Sequence, residues 1–207
     1  MQIVKPSALL MWVTPEPAKL IERAARTCYK SEDKITDESA SAFVKMLDER
    51  KHHAMLEHAC AQVRFITDRG ISHEIVRHRI ASYAQESTRY CNYSKDKFGQ
   101  EISVIEPSDL SDASYHQWHE ACLDAEVRYF KLIEYGCKPQ IARSVLPTCL
   151  KTEIVMTCNL REWMHFLSLR TAKAAHPDIR ILAYSTADQL AEHCPELFKR
   201  FKKNGSS

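Results

Sequence analysis

A stretch of basic and hydroxyl-bearing side chains occupies residues 77–90 of this sequence. An Arg-His-Arg triplet at 77–79 is followed after seven residues by Ser87, and Arg89 comes two positions later. Guanidinium groups are planar and bind a phosphate or a carboxylate with two hydrogen bonds at once. The spacing therefore predicts a receptor for an anionic, hydrogen-bonding ligand, and the alternative is a solvated basic turn.

A second set of polar residues occurs in the C-terminal half of the chain. Arg143 has apolar neighbours, and Arg161 and His165 are four residues apart in a segment rich in Leu, Trp and Phe. Residues four apart lie on one face of a helix. Arginines are rarely buried without an anionic partner, so we expect these side chains to share a polar site with the triplet. The alternative is that they form the solvent-exposed stripe of the helix.

Two other kinds of catalytic site fit the residues less well. His73 and His78 resemble the H-E-x-x-H zinc motif, but they are five residues apart and cannot share one helical face. We therefore predict no metal. Ser87 lacks the G-x-S-x-G turn of many hydrolases, and nothing in the sequence places a carboxylate behind His78. A hydrogen-bonding role is favoured for Ser87 over that of a hydrolase nucleophile.

Composition limits the remaining classes of protein. The 207 residues are 44% hydrophobic and 27% charged, with a formal net charge of +2, which is typical of a globular protein. Only four glycines occur, and they form no G-x-G-x-x-G or P-loop pattern. If the protein binds a nucleotide, side chains must hold its phosphates. Nucleic-acid binding is the alternative to an enzyme, because Arg89 and Tyr90 extend the triplet with a cation and an aromatic ring.

The cysteines and the apolar runs predict a cytoplasmic protein with no membrane partner. None of the eight cysteines forms a C-x-x-C pair. This pattern favours reduced thiols in a reducing compartment over a disulfide framework. No apolar run approaches the roughly 20 residues that are needed to cross a bilayer.

Hydrophobic periodicity predicts an α+β fold in a single domain over residues 1–207. Asn159 is a favourable N-cap for one of the helices, and Ala61, Val63 and Phe65 are expected on one face of a strand. The expected strands cover residues 1–4, 59–67, 102–107 and 151–157. The expected helices are a stretch that residues 14–17 open and that runs through residue 30, a segment that starts at residues 36–39, and residues 72–79, 112–135, 140–146, 160–173 and 177–193. A polar loop is expected at 52–58, the triplet is expected at the end of helix 72–79, and residues 199–207 are expected to form a disordered basic tail.

The triplet followed by seven residues and Ser87 resembles the signature of the flavin-dependent thymidylate synthases, the ThyX family. The resemblance extends to Leu56-Glu57-His58, to residues 142–147 and to residues 159–170. It implies a homotetramer with a ThyX-like fold, in which a central, mainly antiparallel sheet is flanked by helices. It also implies the methylation of dUMP to dTMP. Methylenetetrahydrofolate would supply the carbon, and NADPH would reduce an FAD that supplies the hydride.

The resemblance also assigns residues to the ligands. The expected FAD contacts are Arg77, His78, Arg79, Gln85, Asn159, Arg161 and His165. The expected dUMP contacts are Glu74, Ile75, Val76, Arg77, Gln85, Glu86, Ser87, Thr88, Arg89, Arg143 and Arg170. Arg170 matches the arginine that polarises the uracil by stabilising its ionised N3–C4 amide, and Ser87 is the second catalytic candidate, as a substrate-positioning hydroxyl.

Some positions depart from the family pattern. Ala54 and Ala84 stand where polar residues are common, His165 occupies a flavin-contact position that is often filled by other polar residues, and Ala174 replaces a histidine of some members. His52 is a candidate for the folate or flavin side. FAD is expected between subunits, with Arg143, Arg161 and Arg170 reaching the signature from a neighbouring subunit. No nucleic acid is expected as a partner.

Overall fold

The computed structural model describes residues 1–91, 93 and 99–203. The packing of their Cα atoms divides the chain into two compact units. The first unit contains Met1–Pro6, Ile66–Arg77 and the described residues of Ala84–Ile154, and the second contains Ser7–Phe65, His78–Tyr83 and the described residues from Val155 onward. The expectation of a single domain over 1–207 stays a prediction.

Six strands form two sheets. They are β1 (Gln2–Val4), β2 (Ser7–Val13), β3 (Cys60–Asp68), β4 (Ser82–Gln85), β5 (Ser103–Ile105) and β6 (Lys151–Asn159). Strands β1 and β5 pair in parallel, and the other four form a sheet in the order β2-β3-β6-β4. The Leu160 N–H donates to the Ala59 carbonyl, and Gln62 bonds to Thr157. Residue numbers that rise on β3 as they fall on β6 mark an antiparallel pair, which agrees with the expected sheet.

Eight α-helices and several 3-10 turns complete the described residues. The helices are α1 (Pro17–Thr27), α2 (Ser39–Glu49), α3 (Arg69–Ile75), α4 (Asp112–Glu134), α5 (Pro139–Ala142), α6 (Leu160–Arg170), α7 (Pro177–His193) and α8 (Pro195–Phe198). The 3-10 turns include His53–His58, Arg143–Val145 and Lys199–Phe201. Among the described residues, no helix is both long and apolar enough to cross a membrane.

The core of the second unit lies under α6. Trp163 and Phe166 are fully buried and form an aromatic cluster with Phe65, with ring centroids 5.5–6.4 Å apart. The Trp163 Nε1–H donates to the Ala61 carbonyl at 3.1 Å. The predicted alternation of β3 is confirmed, because Ala61, Val63 and Phe65 are all buried. This core fixes the helix that carries three of the expected site residues.

The first unit has its own core beneath α4. Cys122 and Tyr129 of this helix are buried with Val104, Leu150 and Ala142. The Ser111 hydroxyl accepts from the Ser114 N–H and caps the start of the helix. This packing holds α5 and the 3-10 turn that follows it, which carries Arg143.

Several elements differ from the sequence prediction. Strand β2 was not predicted, because its run of Ala, Leu, Met and Trp has no polar alternation. On this strand, Gln189 of α7 accepts from the Leu10 N–H at 2.8 Å and donates to the Ala8 carbonyl at 2.9 Å. Strand β4 was not predicted either, because it lies inside the polar signature. The predicted loop at 52–58 is instead a 3-10 turn that buries Leu56 completely.

The predicted end of helix 72–79 and the predicted tail are also corrected. Helix α3 ends at Ile75, with Val76 as its C-cap, so the triplet follows the helix. The tail does not begin at residue 199. Phe198 is buried, residues 199–201 form a 3-10 turn, and the Arg200 guanidinium pairs with Asp48. Residues 204–207 lie outside the described residues.

Candidate functional site

The first half-site consists of the expected ligand contacts of the first unit: Glu74–Arg77, Gln85–Arg89 and Arg143. Helix α3 begins where the Asp68 carboxylate accepts from the Ile71 N–H at 2.8 Å. It ends just before Arg77, whose N–H still donates to the Glu74 carbonyl at 3.3 Å. The Arg77 side chain is exposed. A short capped helix therefore delivers this cation to the surface.

Two predicted contacts of the first half-site are held inside the protein. The Gln85 side-chain amide donates to Ser72 Oγ at 2.9 Å and to Thr152 Oγ1 at 3.2 Å. The Glu86 carboxylate accepts from Lys151 Nζ at 3.2 Å. These contacts fix the end of β4 against α3 and β6. Gln85 and Glu86 therefore build the half-site, and a ligand would meet them only on their remaining edges.

Ser87 begins a turn that arranges the next residues. Its carbonyl accepts from the N–H groups of Tyr90 and Cys91, and its hydroxyl accepts from the Arg89 N–H at 3.3 Å. Among the described residues, no histidine or carboxylate is hydrogen-bonded to Ser87 Oγ. The geometry agrees with a positioning role and provides no base that would activate a nucleophile.

Two arginines rim this turn. Arg143 Nη1 donates to Thr88 Oγ1 at 3.0 Å, and Arg89 Nε donates to Gln140 Oε1 at 3.3 Å. Both guanidinium groups are exposed, while Thr88 is buried. Uncharged partners orient the two cations without neutralising them. They can therefore still bind an anion with charge-assisted hydrogen bonds.

The second half-site consists of the expected contacts of the second unit, namely His78, Arg79, Asn159, Arg161, His165 and Arg170. At its centre, His78 Nε2 lies 3.1 Å from Arg170 Nε, and His78 Nδ1 lies 3.2 Å from Glu162 Oε1. Guanidinium nitrogens only donate. Nε2 must therefore accept, the proton of the neutral ring lies on Nδ1, and Glu162 accepts it.

Burial keeps the His78 ring uncharged. The residue is 4% exposed, and its ring lies 4.9 Å from Phe166 and 5.6 Å from His165 between centroids. Desolvation, followed by the charges of Arg170 and His165, lowers the pKa of His78 to about 4. Burial also raises the pKa of the Glu162 carboxyl. His78 is thus a neutral acceptor for Arg170 near neutral pH.

The hydrogen bonds of His78 argue against a direct contact between its side chain and FAD. Both ring nitrogens already have partners inside the protein, and the Tyr83 hydroxyl donates to the His78 carbonyl at 2.6 Å. A direct side-chain contact with a ligand would require the ring to leave Glu162 or Arg170. The geometry favours a supporting role for His78.

The exposed rim of the second half-site is polar. The Asn159 side-chain oxygen accepts from the Glu162 N–H at 2.9 Å, as predicted for an N-cap, which leaves its amide group as a donor. Arg161 pairs with Glu57, and both side chains are about half exposed, at 52% and 45%. The Arg79 and His165 side chains are exposed as well. The rim can therefore present donors and cations to a phosphate-bearing ligand.

The distances between the ligand atoms of the same cluster would allow a metal ion to bind. Among the described residues, the ligand atoms of His78, Glu162 and His165 all lie within 4.8 Å of one another. However, the His78 Nε2 lone pair accepts from Arg170, and a guanidinium beside the cluster disfavours a second cation. The cluster is described by its hydrogen bonds, and the absence of a metal stays a prediction.

Sequence reasoning missed Glu162 and placed two arginines wrongly. The statement that nothing places a carboxylate behind His78 is wrong, because Glu162 lies there. The available signal was Asn159 followed three residues later by a Glu, a helix-start pattern in a segment with many apolar residues. The expectation that Arg143 and Arg170 reach the signature from another subunit is also corrected. They contact Thr88 and His78 of their own chain.

A cleft of about 570 Å³ lies between α1, α2 and the 3-10 turn at 53–58. Its lining includes His52 and Ala54, together with Arg26, Lys34 and Arg50. His52 thus lies at a cavity, as its candidate role on the folate or flavin side requires. The expected loss of a polar contact at Ala54 stays a prediction.

Comparisons with known proteins cover most of the chain. The model of the family described as "thymidylate synthase complementing protein" matches residues 9–196. A protein named flavin-dependent thymidylate synthase from Geobacter sulfurreducens is 32% identical over 198 residues, which cover 92% of this chain and 84% of that relative. A protein of the same name from Pyrococcus abyssi is 30% identical over 186 residues, covering 86% and 76%.

Solved structures share the fold. The UMP/dUMP methylase PolB from Streptomyces cacaoi, bound with 5-Br dUMP, matches with a TM-score of 0.80 at 23% identity and covers 97% of this chain and 96% of that chain. ThyX from Helicobacter pylori, complexed with FAD and dUMP, matches with a TM-score of 0.79 at 22% identity, covering 95% and 100%. These likenesses confirm the expected α+β architecture.

Proposed function

The chain belongs to the family of flavin-dependent thymidylate synthases, and we propose that it methylates dUMP to dTMP with the ligands and residues described below. Methylenetetrahydrofolate is the carbon donor, NADPH the reductant and FAD the cofactor. The observation that carries the residue assignment is the Arg170 guanidinium, which is held by a neutral His78 at 3.1 Å. An oriented guanidinium can stabilise negative charge on a uracil ring.

The first half-site binds the dUMP phosphate and sugar. Arg143 and Arg89 provide guanidinium groups that are oriented by Thr88 and Gln140, and Arg77 adds a third exposed cation. Ser87 stabilises the turn that contains Thr88 and Arg89. Side chains here replace the glycine-rich phosphate loop that the sequence lacks. Glu74, Ile75 and Val76 of the same half-site complete the proposed contacts.

Arg170 polarises the uracil. Its Nε bonds to His78, and we place the N3–C4 amide on the edge of the guanidinium that carries its terminal amino groups. Negative charge that develops on this amide is stabilised by a fixed, partly buried cation more strongly than by water. The residue therefore lowers the barrier to hydride addition without exchanging a proton itself.

The rim of the second half-site fits an FAD diphosphate. Asn159 offers an amide donor, and Arg161 and Arg79 offer exposed guanidinium groups. His165 follows Arg161 by about one turn of α6, and Gln85 stays a proposed FAD contact. When bound, the flavin supplies the redox chemistry of the hydride transfer. The residues of this chain bind and orient it.

No cysteine nucleophile is needed for this reaction. Burial raises the pKa of Cys122 to about 12 and also raises the pKa of Cys158 and Cys194 above its usual range. Thiols of this kind are poor nucleophiles near neutral pH. The proposal therefore gives the reactive step to the flavin and the positioning of the substrate to arginines.

The assembly and the cell compartment are part of the proposal. Half-exposed Leu9, Met11 and Trp12 on β2 support an interface between copies of the chain. We expect a homotetramer that shares FAD between subunits and works in the cytoplasm, and the eight free thiols fit a reducing compartment. Light scattering after gel filtration gives the mass of the assembly, and a monomer would contradict this part of the proposal.

The visible spectrum tests directly whether the protein binds a flavin. We expect the purified protein to be yellow, or to become yellow with added FAD, and its flavin band to bleach when NADPH is added without oxygen. Turnover of dUMP with methylenetetrahydrofolate should follow. A colourless protein that binds no FAD, forms no dTMP and binds random DNA with a steep dependence on salt would support nucleic-acid binding instead.

Arg143→Ala is expected to raise the KM for dUMP by roughly 10- to 100-fold, because a charge-assisted contact of about 1.5–3 kcal/mol is lost. The value of kcat should fall much less if the contact is equal in the bound substrate and the transition state. Steady-state kinetics over a range of dUMP concentrations measure both constants. Lys138→Ala, which removes a nearby cation outside the proposed site, is the control. Equal KM values for wild type and Arg143→Ala would refute the contact.

A further inference from the structure

We propose that Glu162 is a positioning residue, which fixes the direction of the Arg170 guanidinium through the His78 ring. The relay consists of Glu162, His78 and Arg170, and it lies entirely in the second unit. The contacts are Glu162 Oε1 to His78 Nδ1 at 3.2 Å and His78 Nε2 to Arg170 Nε at 3.1 Å. The inference rests on the proposed function through the role of Arg170, and it assigns Glu162 a part in the site.

The relay requires one tautomer of His78. A guanidinium cannot accept a hydrogen bond, so Nε2 must keep its lone pair for Arg170. Glu162 selects this state, because its carboxylate accepts the proton on Nδ1 and would repel a lone pair there. With the opposite tautomer, the Nε2–H would face the Arg170 Nε–H, and two donors would meet.

The surroundings of the ring protect this tautomer. The groups that face His78 are Glu162, His165 and Arg170 from α6 and Tyr83 from β4. The Tyr83 hydroxyl donates to the His78 carbonyl and ties the backbone as well. Burial lowers the pKa of His78 to about 4, so the ring stays neutral at pH values near 7. Protonation would place the charge of the ring beside Arg170.

Glu162 is better placed for this task than for stabilising its helix. A Glu three residues after an N-cap can bond back to the N-cap N–H. Here its N–H is satisfied by Asn159, while Oε1 faces His78. The side chain is 8% exposed. A buried carboxylate is costly unless it is paired, which supports a role within the site.

The first test is the tautomer of wild-type His78 in the ligand-free protein. Long-range proton–nitrogen NMR of protein with labelled histidine distinguishes a protonated from an unprotonated ring nitrogen. The His78 signals are assigned by their loss in His78→Asn. We expect Nδ1 protonated, Nε2 unprotonated and no titration between pH 8 and about 5. An Nε2–H tautomer, or titration near the ordinary value, would overturn the inference without any kinetic measurement.

The second test is Glu162→Gln in the FAD-loaded enzyme. A glutamine amide can donate to Nδ1, so it permits the wrong tautomer while keeping the size of the side chain. We expect kcat to fall roughly 10- to 100-fold, as for other lost supporting hydrogen bonds, with little change in the KM for dUMP. The NMR signals should show an increased Nε2–H population. Asp178→Asn, which neutralises another buried carboxylate of the second unit, should leave both readouts unchanged.

The outcomes separate this inference from the proposed function. If Arg170→Lys is inactive while Glu162→Gln keeps the wild-type kcat and tautomer, the relay is wrong and the role of Arg170 stands. If Arg170→Lys is fully active, the role of Arg170 fails and the relay fails with it. If Glu162→Gln does not fold, Glu162→Asp retains the charge, and it should keep the tautomer while its shorter side chain lowers kcat. A shifted tautomer in Glu162→Asp would overturn the inference.

Discussion

Arg170→Ala should lower kcat for dTMP formation by about 10²–10³-fold, the effect of removing one donor that stabilises developing negative charge. The fold and the bound FAD should be retained, because Arg170 is the last residue of α6 and is only partly buried. Single-turnover measurements with reduced enzyme would isolate the chemical step. The flavin spectrum of the variant shows whether the cofactor is still bound.

Arg170→Lys should fail almost as completely. A lysine ammonium can bond to His78 Nε2 or approach the uracil, but it lacks the planar fork that allows both contacts at once. Lys173→Ala removes an exposed cation three residues further on and is the matched control, with activity near that of the wild type. An Arg170→Lys enzyme with the wild-type kcat would show that charge alone is sufficient and would refute the assigned role.

Trp163→Ala should lower the free energy of unfolding by about 3–5 kcal/mol, the usual cost of deleting a buried aromatic side chain. Trp163 is fully buried against Phe65 and Phe166 and donates a hydrogen bond to Ala61. Denaturant unfolding followed by circular dichroism, at a fixed protein and FAD concentration, measures the change.

Two further variants show which part of Trp163 matters. Trp163→Phe keeps most of the apolar contact but loses the bond to the Ala61 carbonyl, so a smaller loss of about 1–3 kcal/mol is expected. Tyr135→Ala removes an aromatic ring that is 80% exposed, and its effect should lie within about 0.5 kcal/mol. If Trp163→Ala were as stable as Tyr135→Ala, the aromatic cluster would not be the core of the second unit.

Much of the fold could be predicted from local patterns. Alternation predicted β3, a further strand was predicted at the position of β6, and helical periodicity predicted α4, α6 and α7 within a few residues of their observed ends. The Asn159 cap was predicted correctly because capping involves only neighbouring residues. The prediction failed for β2, whose apolar run does not distinguish a strand from other buried segments. It also failed for the end of α3, where helical propensity continues past the observed C-cap.

The sequence by itself determined the kind of ligand, because the types and spacing of the basic residues persist in any fold. It fixed the family through the signature and the segments at 142–147 and 159–170. Only the tertiary structure decided which side chains meet. Glu162 and His78 are 84 residues apart, and His78 and Arg170 are 92 apart. No local pattern carries such contacts, because they arise when residues 78–83 and α6 pack in the second unit and bury the His78 ring between a carboxylate and a guanidinium.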